Sequence, residues 1–455
     1  MRLSPAILNL LPPDVARFDY DRDEQKVGIV HFGLGAFHRA HQAWYTDLAM
    51  SGGERDWAIA GASLRSDAVA RRLDPQGGLY TLTERGAAGE ATRVVGALRE
   101  AIVADRSPER LAIALTAPST RIVSFTVTEK GYARRPDGSL DLELAGRSFY
   151  PHLAECLRQR MRRNLPGLTL LSCDNLPRNG EVLARLLAEW LAAHAPDTVR
   201  WFDGECACPN SMVDRIVPAA TEADLAALEG RLGVRDEGAV FTEPFSQWII
   251  ENRFAGPRPG WDRHGARLVG DVAPYETAKL RMLNGAHSAM AYLGLERGHG
   301  FVDQAIADEE LRALVERLML EEAATSFVPA EGQDLRRYAA DLIARFANPA
   351  LEHRLAQIAA DGSEKIPQRW LETLRAHDAR GERCPALLEA LASWMRYVRG
   401  DRGAVDDPMA AHLAELWRTA GRSGIAAALF GPGGLFADSW RAGEATLAEL
   451  TRKLA

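Results

Sequence analysis

The sequence contains little cysteine, no long hydrophobic run and no surplus of basic residues. Five cysteines in 455 residues are too few for a disulfide framework. Cys206 and Cys208 flank one alanine and have no second Cys pair, so a plain loop with free thiols explains them better than a structural zinc site. The longest apolar stretches, such as 425–430, are far shorter than the roughly 20 residues that a membrane-spanning helix needs. We therefore expect no disulfide, no metal and no membrane partner.

Charge and length exclude further classes of protein. Lys plus Arg number 55 and Asp plus Glu number 62, a net charge of −7, which argues against a nucleic-acid partner. Residues 1–19 lack a basic segment followed by an apolar stretch, so we expect no secretion signal and a cytoplasmic location. A chain that is 47% hydrophobic and 26% charged can bury a large core, and its length predicts two domains.

The N-terminal half alternates strand-like and helix-like segments. Four short apolar runs predict buried strands, at residues 27–32, 57–62, 121–127 and 168–172. Helical spacing of apolar residues predicts helices over 38–50 and 181–195. Strands that alternate with helices indicate an α/β fold with a doubly wound, Rossmann-like parallel sheet.

After Pro274 the pattern becomes helical throughout. Leu-, Ala-, Glu- and Arg-rich stretches with helical spacing cover 309–325 and 334–346, among others. The Gly- and Pro-rich stretch 252–271 is the expected seam between the two halves. We expect one domain over residues 1–272 and a mostly α-helical domain over 273–455.

A glycine-rich turn follows the first predicted strand and precedes a predicted helix. It consists of Gly33, Leu34, Gly35, Ala36 and Phe37. In this context glycines permit a tight turn and let a pyrophosphate approach backbone N–H groups, so the turn favours dinucleotide binding over a merely structural role. The third glycine of the usual fingerprint is replaced by His38.

The cofactor's adenosine end is less clearly marked in the sequence. The acidic residue expected after the second strand has one candidate, Asp67, which lies four residues beyond Ser63. Arg65 is closer to the strand and could accept a 2′-phosphate instead. NAD is favoured on this evidence, and NADP stays open.

The segment 275–294 begins the helical half and carries four polar groups on one side. At about 100° per residue, Glu276, Lys279, Asn284 and His287 fall within about 140° of arc. The largely opposite arc is apolar and is expected to be buried; it holds Ala278, Met282, Ala286, Ala289, Met290 and Leu293. A lysine beside an amide and an imidazole is typical of a proton-transfer site. An ordinary amphipathic helix is the alternative.

Polar residues also follow predicted strands of the first half, where doubly wound folds place ligand contacts. Asp174 and Asn175 end one strand, and Thr128 ends another, with turn formation at Gly131 as its alternative. Asp214 is a further candidate, although a structural ion pair with the adjacent arginine would explain it equally well.

Several motifs together resemble the polyol-specific long-chain dehydrogenase/reductase family across nearly the whole chain. The residues that carry the resemblance are FGLGAFHRAHQ (32–42), TVTEKGY (126–132), SCDN (172–175), SMVDRIVPA (211–219), EPFSQWIIE (243–251), KLRMLNGAH (279–287), DGSEKIPQR (361–369) and ASWMRY (392–397). The resemblance implies a zinc-independent, NAD-dependent oxidoreductase. Residues 1–272 would bind the dinucleotide, and residues 273–455 would form the substrate-binding and catalytic domain.

The resemblance also implies roles for individual residues. Lys279 matches the general acid/base, Asn175 and Asn284 match the pair that stabilises the oxyanion, and His287 matches a contact to a substrate hydroxyl. Glu276 matches a carboxylate implicated in proton movement beside the lysine. Separately, Asp214 matches a residue of the substrate pocket, and Gly33, Gly35 and Phe37 fall in the cofactor turn.

Within this family the sequences of the motifs resemble those of the D-mannonate oxidoreductases more than those of the mannitol 2-dehydrogenases. This resemblance therefore favours reduction of D-fructuronate to D-mannonate with NADH. A hexuronate carboxylate needs a cationic partner, for which Lys365 and Arg369 are candidates; both could equally be solvated or ion-paired elsewhere. Oxidation of mannitol or a polyol such as arabinitol is the alternative, and a non-catalytic nucleotide-binding regulator is an alternative of another class. We expect a small-molecule sugar acid or polyol as partner and a monomer or small homo-oligomer.

Overall fold

The computed structural model describes residues 1–401 and 403–454, which form two compact units. The first unit ends at Val272 and the second begins at Ala273. No helix in the described part of the chain combines the length and hydrophobicity needed to cross a membrane.

The first unit is built on a parallel sheet of five strands. The whole unit has eleven strands, which in chain order are β1 Val27–Phe32, β2 Ala58–Ser63, β3 Tyr80–Gly86, β4 Gly89–Val95, β5 Leu98–Val103, β6 Ile122–Phe125, β7 Thr169–Ser172, β8 Ser211–Asp214, β9 Val240–Thr242, β10 Gln247–Glu251 and β11 Arg267–Val269. The main sheet has the order β5-β2-β1-β6-β7 with every pair parallel. β1 lies at the centre, where the chain turns from one side of the sheet to the other. The predicted Rossmann-like α/β fold is confirmed.

Alternate residues of the central strand point into two separate cores. Val30 and Phe32 lie in one core, and Ile29 lies in the other. The helices of this unit span Ala36–Ala40, Gln42–Ser51, Ala68–Leu73, Pro108–Thr116, Thr128–Gly131, Leu142–Ala145, Tyr150–Arg162, Asn179–His194, Pro196–Glu205 and Glu222–Leu232, with short 3-10 segments at Pro5–Leu10, Asp74–Gln76 and Trp261–His264. Both faces of the sheet are therefore covered, which is why its strands are apolar on each side.

Two small sheets in this unit are absent from the sequence prediction. One has the order β4-β3-β9 and the other β11-β10-β8. β11 and a 3-10 segment lie inside the stretch 252–271, which was expected to be only a seam. Trp261 in this stretch is fully buried, with its ring 4.5 Å from that of Trp248, so the stretch belongs to the core of the first unit.

The predicted helix over 38–50 is wrong in one respect. The structure has two helices, Ala36–Ala40 and Gln42–Ser51, separated at His41, whose φ of −121° and ψ of −94° are not helical. Periodicity alone did not reveal this break because apolar residues occur on both sides of it. The helix predicted over 181–195 is confirmed as Asn179–His194, with its leucine face buried.

The described residues of the second unit form helices and no strand, as predicted. The α-helices span Ala273–Ala278, Gly285–Glu296, Val302–Ala307, Glu309–Arg317, Leu335–Phe346, Leu355–Ala359, Gly362–Ile366, Glu372–Asp378, Pro385–Val398, Ala410–Phe430 and Glu444–Lys453; π-helical segments span Lys279–Asn284, Leu318–Ala323 and Pro367–Leu371, and a 3-10 segment spans Pro349–Leu351. Gly285–Glu296 is the central helix, because residues 285–294 are all buried. A single large apolar cluster surrounds it.

Candidate active site

The glycine turn lies at the carboxyl end of β1, the central strand, where doubly wound sheets bind ligands. Gly33 has φ +99°, and a Cβ there would lie 2.1 Å from the carbonyl oxygen of Thr126. Gly35 differs, because its nearest heavy atom beyond its chain neighbours would be 3.8 Å from a Cβ. Gly33 is therefore required by packing, whereas Gly35 leaves open space over the backbone. This arrangement fits the close approach of a dinucleotide pyrophosphate.

The rest of the turn is held by packing. Leu34 is buried against Gly61. A Cβ atom on Gly61 would lie 2.8 Å from the methyl carbons of Leu34. Ala36 begins the following helix, and the half-buried Phe37 ring stacks 5.0 Å from that of His41. His38, in place of the third glycine, is fully buried and stacks 3.4 Å from the ring of His31. Burial holds the pKa of His38 well below its usual range, so this position is part of the core beneath the turn.

The carboxyl end of β2 presents charges of both signs. Asp67 pairs with Arg71 at 3.1 Å and with Arg106 at 2.6 Å. Arg65 is exposed and donates from Nη2 to the carbonyl oxygen of Arg147 at 3.1 Å. A carboxylate for ribose hydroxyls and guanidinium groups for a 2′-phosphate are thus both present, and the geometry fits either nicotinamide dinucleotide.

The ends of β6 and β7 are joined through one carboxylate. Asp174 accepts from the backbone N–H groups of Thr128 at 2.8 Å and Val127 at 3.1 Å, and from the hydroxyl of Tyr132 at 2.8 Å. Asn175 follows it and is exposed, as is Thr128. The structure thus brings Thr128 and the Asp174–Asn175 pair to one edge of the sheet, as the sequence predicted.

Asp214 is the last residue of β8 and is buried. The adjacent Arg215, which the alternative pairs with Asp214, makes several other contacts. Its guanidinium donates to the Ala40 carbonyl at 2.6 Å and to Glu84 at 2.5 Å, and it lies over the ring of Trp44.

The four polar groups of the segment 275–294 lie on a helix whose geometry the sequence did not indicate. Glu276, Lys279 and Asn284 are half-buried and His287 is buried. The whole apolar arc is buried as predicted; it comprises Ala278, Met282, Ala286, Ala289, Met290 and Leu293. Lys279–Asn284 is a π-helical segment, so residues five apart, not four, complete a turn. The angle around the helix axis between positions 279 and 284 is therefore smaller than the roughly 140° that a regular α-helix would give.

His287 lies among cationic and aromatic side chains of the second unit. Its ring is 4.8 Å from that of Phe346 and 5.2 Å from that of His353. Burial, with added repulsion from His353, Arg345 and Arg369, holds its pKa well below the usual range. Its Nε2 is buried without a hydrogen-bond partner among the described residues. A neutral imidazole with one ring nitrogen available suits a contact to a substrate hydroxyl.

The two candidate carboxylate partners have different surroundings. Lys365 donates from Nζ to the Ala360 carbonyl at 2.5 Å and lies 3.6 Å from the carboxylate of Asp361. Arg369 donates from Nη1 to Ser288 Oγ at 2.8 Å and to the Asn284 carbonyl at 3.4 Å. Burial lowers the pKa of Arg369 to about 10. Among the described residues no carboxylate pairs with Arg369, and its guanidinium donates only to neutral oxygens.

Within residues 1–401 and 403–454, no group of three or more His, Cys, Asp and Glu side chains has an arrangement that could hold a metal ion. All five cysteines are free thiols. Cys206 accepts a long hydrogen bond from the Leu168 backbone N–H at 3.5 Å, which is an ordinary packing contact.

Comparisons with known proteins identify the family of this chain. The family model described as the mannitol dehydrogenase Rossmann domain matches residues 27–263, and the mannitol dehydrogenase C-terminal domain matches residues 271–454. The chain belongs to the mannitol dehydrogenase family.

Individual relatives span almost the full length. The D-mannonate oxidoreductase of Escherichia coli is 40% identical over 445 residues, 93% of this chain and 92% of that protein. A mannitol 2-dehydrogenase of Aspergillus fumigatus is 36% identical over 453 residues, 94% of this chain and 89% of that protein. The solved structure of Pseudomonas fluorescens mannitol 2-dehydrogenase in ternary complex with NAD and D-mannitol aligns with a TM-score of 0.82 at 32% identity, covering 100% of this chain and 96% of that chain. The protein is therefore an oxidoreductase of the mannitol dehydrogenase family, and its Rossmann domain is suited to a nicotinamide cofactor.

The open space at Gly35 generates a test of the cofactor site. We expect Gly35→Ala to weaken NADH binding roughly tenfold, because the new methyl group would occupy the space that the pyrophosphate needs. The midpoint of thermal unfolding should stay near that of the wild type, since the φ of Gly35 is −90° and no atom is close. NADH fluorescence titration and thermal unfolding would measure the two quantities.

Gly204→Ala is the matched control, because Gly204 lies on a helix with no heavy atom within 4 Å of a Cβ. It should bind NADH as the wild type does. If Gly35→Ala also binds NADH normally, the turn does not contact the dinucleotide.

Proposed function

We propose that this protein is a metal-independent, NAD(H)-dependent oxidoreductase that interconverts D-fructuronate and D-mannonate. The observation that carries the proposal is Arg369, a guanidinium among neutral oxygens beside His287. A sugar that ends in a carboxylate would supply the missing anion. The 40% identity to a D-mannonate oxidoreductase over 92% of that protein supports the same choice.

The proposal assigns the nucleotide to residues 1–272 and substrate binding and catalysis to residues 273–455. Gly33, Leu34, Gly35, Ala36 and Phe37 would hold the pyrophosphate. Separately, Arg65, Asp67 and Thr128 would contact other parts of the cofactor, with NADH preferred over NADPH. The protein would work in the cytoplasm as a monomer or small homo-oligomer.

When bound, the nicotinamide supplies or accepts the hydride at the substrate carbon. During reduction, Lys279 gives a proton to the carbonyl oxygen as it becomes a hydroxyl, and in the reverse direction it removes that proton. Asn175 and Asn284 donate hydrogen bonds to the developing oxyanion, each worth a few kcal/mol in a site that excludes water. Glu276, three residues before the lysine, carries the proton between Lys279 and solvent.

Binding of the sugar would use the remaining polar groups. His287 and Asp214 would contact hydroxyl groups of the sugar. Arg369 pairs with the carboxylate, and Lys365 stands four residues away as a second cation whose charge is already shared with Asp361. This difference makes Arg369 the main partner of the carboxylate.

A polyol dehydrogenase is the second candidate. The pairing of Lys365 with Asp361 leaves less positive charge for an acid, and the solved relative with NAD and D-mannitol shares 32% identity. Mannitol or arabinitol would then be oxidised to a ketose by the same lysine and amides. The non-catalytic regulator is disfavoured, because a sensor has no use for a proton-transfer lysine beside an amide donor.

The first experiment compares D-fructuronate with D-fructose at equal concentrations, following the loss of NADH absorbance and repeating each with NADPH. We expect kcat/KM for D-fructuronate with NADH to exceed that for D-fructose by at least about tenfold, the value of one charge-assisted hydrogen bond. A preference for fructose would identify a polyol dehydrogenase instead.

Arg369→Gln tests the carboxylate partner. We expect kcat/KM for D-fructuronate to fall roughly 10- to 100-fold, because a hydrogen-bonded charge pair is worth about 1.5–3 kcal/mol. Turnover of D-fructose, which lacks the charge, should change by less than about threefold. Lys365→Gln should have a smaller effect, and Arg375→Gln, at an exposed residue of the next helix, is the control. Equal losses on both sugars in Arg369→Gln would contradict a role in recognising the carboxylate.

Lys279→Ala tests the catalytic assignment. We expect turnover to fall at least about 100-fold, the lower range of general acid–base catalysis, while NADH binding stays within about twofold of the wild type. Steady-state rates and fluorescence titration would measure these. Unchanged turnover would refute Lys279 as the proton-transfer group and would restore the regulator hypothesis.

A further inference from the structure

A continuous set of hydrogen bonds links the ends of β1, β6 and β7 in the first unit. The Thr126 hydroxyl, just after β6, donates to the carbonyl of Gly33 at 2.7 Å. The next two residues, Val127 and Thr128, give their backbone N–H groups to Asp174 after β7. The glycine turn and the segment that carries Asn175 are thus joined through Val127 and Thr128.

Asp174 is a buried carboxylate that pairs with no cation among the described residues. It is 7% exposed, and its carboxylate contacts three donors: two backbone N–H groups and the hydroxyl of Tyr132. The described residues place no lysine or arginine within bonding distance of it. Burial raises its pKa, and the three hydrogen bonds oppose that rise. Burying a carboxylate without a cation costs free energy, which its three hydrogen bonds offset, and a fully bonded buried group fixes the position of its partners.

The backbone that it fixes is strained. Thr128 has φ +64°, a left-handed conformation that β-branched residues rarely adopt. Residues in such conformations persist only where their surroundings hold them, and they cluster at ligand sites. The bond from the Thr128 N–H to Asp174 is the contact that holds this one.

We propose that Asp174 is a positioning residue for hydride transfer: its carboxylate locks Val127 and Thr128 against the glycine turn and so sets the place of Asn175. The proposal rests on the proposed function in one respect, that a nicotinamide dinucleotide occupies this edge of the sheet. Asp174 touches neither the cofactor nor the sugar in this account. It acts through Thr128 and Asn175.

Asp174→Asn keeps the shape of the side chain but loses one of the two backbone bonds, because an amide nitrogen cannot accept. We expect kcat to fall roughly 10- to 100-fold, as misplacement of reacting groups by about 1 Å does. The KM for the sugar should change by less than about threefold, and the Kd for NADH should rise about three- to tenfold. If the Asp174 carboxylate served only stability, Asp174→Asn would lower the midpoint of thermal unfolding and leave kcat, KM and Kd unchanged.

Asp236→Asn is the matched control. Asp236 is also a buried carboxylate that accepts backbone N–H groups, but those groups belong to Thr81 of β3 and to Gly238, not to the segment Thr126–Thr128. We expect Asp236→Asn to lower the unfolding midpoint at least as much as Asp174→Asn while the folded fraction keeps normal kcat and NADH affinity.

Tyr132→Phe is a milder variant if Asp174→Asn does not fold. It removes one donor to Asp174 and keeps both backbone bonds, so kcat should fall about threefold with little loss of stability. Normal kcat and normal NADH affinity in Tyr132→Phe, or in folded Asp174→Asn, would overturn the proposal.

The NADH titration separates this proposal from the proposed function. If the wild type binds NADH but reduces neither sugar, the choice of substrate fails, and the affinity of Asp174→Asn for NADH still tests the positioning role. If the wild type binds no nicotinamide dinucleotide, both proposals fail.

Discussion

The approach of Gly33 to the backbone of Thr126 is the contact on which the edge of the main sheet depends. With 2.1 Å between the position of a Cβ and a carbonyl oxygen, no side chain fits, and the left-handed φ excludes most residues other than glycine. The turn after β1 can therefore fold tightly over the end of β6. That fold leaves Gly35 open and puts Thr126 within hydrogen-bond reach of the turn.

The same edge shows how a doubly wound sheet supplies rigidity to polar groups. Thr128 is exposed, yet its backbone N–H is held by the buried Asp174 carboxylate, which also accepts from the Tyr132 hydroxyl. Asn175 is exposed as well and directly follows Asp174 in the chain. Buried polar groups that are fully hydrogen-bonded specify one arrangement, because any other leaves a donor or acceptor unsatisfied. The buried groups therefore also restrict the positions of the exposed residues that are bonded to them.

The second unit solves a different problem, which is to hold charged groups beside an apolar core. The helix Gly285–Glu296 is buried along ten successive residues, including His287 and Ser288, and the half-buried Lys279 and Asn284 lie in the turns before it. The π-helical segment Lys279–Asn284 lies there and redirects those turns. Such segments are rare, and they often occur at functional sites. Arg369, bonded to Ser288 and to the Asn284 carbonyl, adds a positive charge next to these turns.

The class of fold, the change to helices after Pro274 and the apolar arc opposite Lys279 could be predicted from the sequence, because they follow from local periodicity, which reports burial directly. The sequence also placed Gly33, Asn175 and Thr128 at strand ends, because apolar runs stop where a strand leaves the core. The small sheets around β3 and β10 could not be predicted from the sequence, because they need tertiary pairing; β9, for example, pairs with β3 from far along the chain. Tertiary packing also determines the π-helical segment, the burial of Trp261 and the different surroundings of Lys365 and Arg369. Each of these depends on which distant groups pack together, and no local pattern records that choice.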